Sequence, residues 1–148
     1  MKVIVQRVDN SKVEVDGKTT GEIDKGFMLL VGFTKTDTVN EIDWMVKKIS
    51  NLRIFDDENG VMNLSIKDVH GSILSVSQFT LYGDARKGNR PSYINALGGE
   101  EATKLYDLFN EKLREENLKV ETGIFGADMK VSLINDGPVT IILEKENA

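Results

Sequence analysis

The sequence predicts an α+β domain, a mainly antiparallel sheet carrying two amphipathic helices. Three observations predict it. Short apolar runs are separated by tight-turn dipeptides such as Asp16-Gly17 and Asn59-Gly60, the signature of hairpins. Only two segments, near 38–52 and 100–116, repeat apolar residues at three and four. The hairpin-rich order lacks the strict strand–helix alternation of a doubly wound sheet. With 148 residues, one domain from 1 to 148 can bury a core without covalent staples.

Each element has its own reason. Val3, Val5 and Val8 suggest a strand. Val13 and Val15 alternate with Lys12, Glu14 and Asp16, a half-buried strand that returns through Asp16-Gly17 to residues 21–23. Residues 27–31 form a continuous apolar run after Lys25-Gly26 and predict a fully buried strand. Thr38 and Glu41 have capping-box spacing, so a helix starts near Thr38 with Ile42, Met45, Val46, Ile49 and Leu52 on one face. Asn59-Gly60 joins two further strands, 53–55 and 61–66. A strand over 72–81 precedes a polar loop over 82–93. The second helix, 100–116, has an apolar face of Ala102, Leu105, Phe109 and Leu113, widened by Tyr106 and Leu108. Residues 118–124 and 129–134 read as strands. Asn135-Asp136-Gly137-Pro138 reads as a hairpin turn, and 139–143 close the chain.

Composition excludes several chemistries. There is no cysteine, so disulfides, thiolate metal sites and cysteine nucleophiles are out. A single histidine, His70, forbids a His-rich metal site, and no metal or cofactor is expected. The net charge of −5 excludes a globally basic nucleic-acid coat, so any RNA contact needs a local patch. No run reaches the ~18 apolar residues of a membrane span, and the N-terminus does not read as a signal peptide. A cytoplasmic enzyme or binding domain is the expectation. The acidic turn at 56–60 lacks the spacing of a calcium loop.

Two segments carry chemistry. In the first, Ser77, Gln78 and Thr80 stand at the end of an apolar strand, where a cleft can open. Their groups donate and accept, and backbone N–H groups at a strand end can hold an oxyanion. The plain alternative is a strand with one solvated face. The second is Asn135 to Thr140, in which Gly137 precedes Pro138. A cis bond there would aim two carbonyls in nearly the same direction, but only ~5% of such bonds are cis, so pattern alone does not argue for it. His70, in Asp68-Val69-His70-Gly71, reads as a surface turn histidine rather than a general base.

Together the SQxxL pattern at 77–81 and the NxGPxT pattern at 135–140 resemble the D-aminoacyl-tRNA deacylase family. Val5-Gln6-Arg7-Val8, Asn51-Leu52-Arg53-Ile54-Phe55, Met62-Asn63-Leu64-Ser65, Arg86-Lys87-Gly88 with Arg90-Pro91-Ser92, and Phe125-Gly126-Ala127-Asp128-Met129 extend the likeness in family order. The resemblance covers essentially the whole chain. It implies a partly barrel-like sheet and a homodimeric cytoplasmic hydrolase active in translation quality control. That hydrolase would free tRNA from a D-amino acid at its 3′ aminoacyl end, and would also remove glycine mischarged on alanine tRNA. It implies a cis Gly137–Pro138 bond reaching the partner's active site as a chirality filter. Arg7 and Thr140 would support that motif. Ser77, Gln78, Phe79 and Thr80 would form the catalytic segment, with the Phe79 and Thr80 amides on the oxyanion. Arg86, Lys87 and Arg90 are the best tRNA-binding patch, assisted by Lys2 and Arg53. The rival expectation is a non-catalytic nucleic-acid-binding module using the same loop. A third is a small structural homodimer.

Overall fold

The computed structural model describes residues 1–147. Eight strands and two helices follow the chain. They are β1 Lys2–Val15, β2 Lys18–Ile23, β3 Gly26–Gly32, α1 Val39–Asn51, β4 Phe55–Asp56, β5 Met62–Leu64, β6 Ser72–Ser77, α2 Gly99–Glu115, β7 Val120–Thr122 and β8 Lys130–Glu144. One 3₁₀ turn, Phe79–Tyr82, follows β6 directly.

β1 is the organising strand. The two runs expected at 3–8 and 13–15 are one strand of 14 residues. β3 pairs its first half and β2 its end, through the Asp16-Gly17 hairpin. β8 follows β1 over nearly its whole length. These pairings are antiparallel, as is the small β4–β5 hairpin. β3–β6 and β6–β7 are parallel, so the sheet is mixed although mainly antiparallel. The sheet curls until β2 meets β7. A Cβ on Gly21 would stand 2.7 Å from the Thr122 carbonyl oxygen, so only a glycine admits this approach.

The alternation of β3 divides two cores. Phe27, Leu29 and Val31 join Val3, Val5 and Ile73 under the helices, where Ile42, Met45, Ile49, Phe109 and Leu113 pack. Met28 faces the other way, with Val8, Val13, Leu74 and Val76. β3 is thus covered on both faces, as its unbroken apolar run requires. Ile49 and Phe109 are fully buried, the placement their helical stripes predict. The capping box of α1 is formed: the Asn40 N–H donates to Thr38 Oγ1 at 3.2 Å, and the Thr38 N–H to Glu41 Oε1 at 2.7 Å.

Two expectations are corrected. The strand over 72–81 stops at Ser77, and 79–82 coil into the 3₁₀ turn. The reason is that Ser77 pairs with Val31 and β3 ends one residue later at Gly32, so the ladder has almost no partner left beyond Ser77. Residues 135–138 do not reverse the chain. Both flanks continue as one β8 along β1, Asn135 opposite Val8 and Thr140 opposite Gln6. The intervening residues bulge outward against the single residue Arg7. β1 is long enough to template both halves, which a turn would have separated.

Candidate active site

The two motif segments are built by different forces. The first grows from the end of β6. Ser77 still pairs with Val31, and the Gln78 N–H donates to the Val31 carbonyl at 2.7 Å. The chain then tightens, with the Leu81 N–H bonded to the Gln78 carbonyl at 3.3 Å and the Gly83 N–H to the Thr80 carbonyl at 2.9 Å. The Gln78 side-chain amide donates to the Thr80 hydroxyl, bridging the corner. The amides of Phe79 and Thr80 start this turn and have no protein acceptor among the described residues. Phe79 stays 53% exposed, although its neighbours on β6 are buried.

A cleft of about 280 Å³ opens at this point. Ser77, Gln78 and Phe79 form one wall, and Phe125 to Met129 the facing one, with Phe33 and Leu97 between them. Residues 125–129 carry part of the family resemblance, but their sequence predicts no place for them in the site. The signal was Phe125 and Met129 flanking Gly126 in a stretch with no strand or helix period. Gly126 turns there at φ +80°. Behind the wall, Phe125 tilts against Tyr106 at 5.8 Å, and Tyr106 Oη donates to the Ser75 carbonyl at 2.7 Å. The cleft is therefore anchored to α2 and β6.

Asp128 is the one ionisable side chain among the lining residues, and it lies 3.2 Å from Lys130 Nζ. His70 is far removed, in an exposed turn at φ +55° beside a separate cavity. Tyr82 closes the 3₁₀ turn under the Lys2 ammonium, 4.7 Å from its ring centre. Burial, then the charge of Asp37, pushes its phenol up, so it stays neutral. No group of three or more His, Asp or Glu stands in metal-binding reach among the described residues.

The second segment is held by side chains. Arg7, only 6% exposed, donates through Nε to the Asp136 carbonyl at 2.9 Å and through Nη1 to the Ile54 carbonyl at 2.7 Å. Asp136 and Asp56 carboxylates flank it at 3.6 and 3.4 Å. Asn135 closes the base of the bulge. It accepts from the Val139 N–H at 2.7 Å, and its amide donates to the Val139 carbonyl and the Thr140 hydroxyl, both at 3.2 Å. The carbonyls of residues 136 and 139 are thus occupied. Those of Gly137 and Pro138 have no side-chain donor among the described residues. Gly137 sits at φ +137°, and a Cβ there would lie 2.7 Å from Val139 Cγ2. The Gly137–Pro138 bond is cis.

The structure does not bring the two segments together within one chain. Gly137 and Pro138 are exposed and absent from the cleft lining. The basic loop is also separate from the lining. Arg86, Lys87 and Arg90 are exposed, and Arg86 is folded back on Asp84 at 2.7 Å. That contact and the Arg86 N–H hold the Asp84 carboxyl down at about 2. Of the assisting residues, Arg53 is engaged by the Asn63 carbonyl at 3.0 Å, and Lys2 packs on Tyr82.

The chain and its fold resemble known proteins. The D-Tyr-tRNA(Tyr) deacylase family model matches residues 4–144. The chain is similar to the D-aminoacyl-tRNA deacylase of Clostridium novyi (strain NT), 59% identical over 99% of this chain and 98% of that one. It is 56% identical to that of Thermosipho africanus (strain TCF52B), with the same coverage. The solved structure of "c-Myc DNA Unwinding Element Binding Protein" superposes with a TM-score of 0.93 at 43% identity, over 99% and 100% of the two chains. A probable eukaryotic D-amino acid tRNA deacylase superposes at 0.80 and 19% identity over 96% and 97%, a likeness of fold alone. A match that takes in both motifs, the cleft and the β1–β8 ladder establishes that the chain belongs to the D-Tyr-tRNA(Tyr) deacylase family of hydrolases.

Proposed function

We propose that this protein hydrolyses the ester linking a D-amino acid to the 3′-terminal adenosine of tRNA, releasing both. The observation that carries the reading is the pair of unbonded amides at Phe79, which lines the cleft with Ser77 and Gln78, and at Thr80, the next residue of the turn. As water adds to the ester carbonyl, its oxygen gains negative charge, and those amides receive it. One such donor is worth about 3 kcal/mol in other hydrolases. The bond to the 3′-oxygen then breaks, and that oxygen takes up a proton. The cleft offers no histidine, cysteine or lysine to move protons, and its one carboxylate, Asp128, is paired with Lys130 on the wall facing Ser77 and Gln78. The ribose 2′-hydroxyl, adjacent to the ester, does so instead. Ser77 and Gln78 position the aminoacyl group.

Handedness is read by the second segment, in trans. With the amino and carbonyl groups of the substrate fixed, D and L isomers exchange hydrogen and side chain. Main-chain oxygens of Gly137 and Pro138, set against one of those directions, admit hydrogen and exclude carbon. Many D-amino acids pass, and glycine, with hydrogen on both sides, passes too. On this reading the protein also removes glycine mischarged on alanine tRNA. A homodimer supports this reading. No residue of β8 is buried, and Ile134 and Ile142 are 55% and 65% exposed along it. A bulge locked by Arg7 yet facing solvent fits a site completed by a second copy. Among the described residues no helix is long and apolar enough to cross a membrane, and a tRNA substrate places the activity in the cytoplasm.

The test is deacylation of matched D-, L- and glycyl-tRNAs. Rapid loss of the D and glycyl esters with a persistent L ester is expected. Equal cleavage of both mirror forms sinks the filter. A substrate ending in 2′-deoxyadenosine should turn over far more slowly, and undiminished turnover removes the hydroxyl from the mechanism. A second reading, nucleic-acid binding without catalysis, draws on the likeness to the c-Myc DNA Unwinding Element Binding Protein. Binding without ester loss in the same assay would favour it.

A further inference from the structure

The rings of Phe79 and Tyr93 beside the cleft take no part in the chemistry above. Phe79 lines the cleft on one side, and on the other its ring meets Tyr93 edge to face, centroids 5.2 Å apart. Tyr93 is 42% exposed, and Ile94 beside it 70%. Exposed aromatic surface in one place is unfavourable in water unless something covers it.

The rings are held in place from beneath. Tyr93 lies against Gly83, where a Cβ would stand 3.0 Å from both Tyr93 Cε1 and the Thr80 carbonyl oxygen. Asp84 and Ser92 exchange two backbone hydrogen bonds of 2.8 Å, closing the loop that begins at Gly83. Downstream, the Leu97 N–H donates to the Phe33 carbonyl at 2.9 Å, and Thr34 Oγ1 to the Asn95 carbonyl at 2.6 Å. Tyr93 is therefore fixed relative to the cleft from both ends. The tip of the same loop carries Lys87 and Arg90, both exposed, while Arg86 is spent on Asp84. An aromatic ledge next to free cations matches the chemistry of single-stranded nucleic acid, whose bases stack while its phosphates meet the charges.

We propose that Tyr93, set edge-on to Phe79, is a stacking ledge for the base of the nucleotide preceding the terminal adenosine, with Lys87 and Arg90 facing the adjoining phosphates. This rests on the hydrolase reading, since the ester must lie at the Phe79 and Thr80 amides for the next base to leave the cleft past Phe79. The ledge gives affinity for the tRNA end without reading its sequence, because every base has a face to stack.

A double substitution cycle tests it. The substrates are D-aminoacyl-tRNA with its penultimate base intact or abasic, and the enzymes wild type, Tyr93→Ala and Tyr93→Trp. In wild type the abasic substrate should raise KM about tenfold, within the range of one base–aromatic stack. Tyr93→Ala should raise KM similarly on the intact substrate, with kcat little changed, and show no further loss on the abasic one. Tyr93→Trp should restore the difference between the substrates. Losses that simply multiply in Tyr93→Ala, or no loss in either arm, overturn the ledge while leaving the hydrolase intact. A lowered dimer mass for Tyr93→Ala assigns the surface to a second copy and also overturns it. Wild type inactive on D-aminoacyl-tRNA overturns the hydrolase reading and the ledge with it.

Discussion

Segments 77–82 and 135–140 both interrupt apolar strands with polar residues, and the fold treats them in opposite ways. At 77–82 the ladder runs out and leaves two donors unbonded, the amide of Phe79, which lines a cleft of the same chain, and that of Thr80 next to it. At 135–140 the ladder continues on both sides and expels a bulge locked by Arg7 and Asn135. That bulge presents carbonyls and stands clear of its own chain's cleft. Donors suit an oxygen gaining charge, and fixed acceptors suit exclusion of a carbon substituent. One segment needs free backbone groups, the other immobile ones, and each is produced by how the strand beside it ends or continues.

The sharpest way to break this contrast is at Thr80. Thr80→Pro deletes an amide and should lower kcat about 100- to 1,000-fold in single-turnover deacylation. Thr80→Ala keeps the amide and should retain a substantial fraction of activity. Equal losses in two variants with native circular dichroism would move the work to the hydroxyl. Next in size is Arg7→Ala. It strips donors from the Asp136 and Ile54 carbonyls and should cost about 2–3 kcal/mol in urea unfolding. The folded fraction should cleave L-aminoacyl-tRNA relatively faster, and unchanged selectivity would show that the bulge does not need its clamp. Arg7→Lys should fall between, since an ammonium lacks the guanidinium fork.

The remaining outcomes are smaller. With Arg86 closed on Asp84, two phosphate contacts remain for the loop, giving a log–log salt slope of about −1.4 (roughly −0.7 per contact). Three free cations would give about −2, so the measured slope decides whether Arg86 leaves Asp84 on binding. The same clamp sets the pH dependence. Arg86 holds the folded Asp84 carboxyl at about 2. A depressed carboxyl contributes stability above its unfolded value of about 3.9 and loses it as pH falls through about 2. The slope should therefore be the same at pH 5 and pH 8, and a change between them would mean the pair opens near neutrality.

Much of this was readable residue by residue. Helix α1 follows from its capping box and apolar stripe, and the buried strand β3 from its unbroken hydrophobic run. Ser77 stands at the end of an apolar strand, and Arg86, Lys87 and Arg90 stand in an exposed loop, as their residues predict. The path of 72–81 and 135–140 was not readable. Ser77 ends its strand because β3 ends beside it, and nothing within 77–81 records that. Asn135-Asp136-Gly137-Pro138 has every local mark of a hairpin turn and becomes a bulge because β1, far away in sequence, pairs both flanks. The cleft wall at 125–129 escaped for the same reason, since its partner wall comes from β6.

The sequence by itself determined what local forces control: helix stripes and caps, tight glycine turns, strand burial, and the motifs that mark the family. Only the tertiary structure decided which strands run parallel, where a ladder stops, and which carbonyls and amides stay unbonded. Backbone hydrogen bonds bear no residue identity, so their partners are chosen by the packing of distant strands, and it is those unpaired backbone groups on which the proposed site rests.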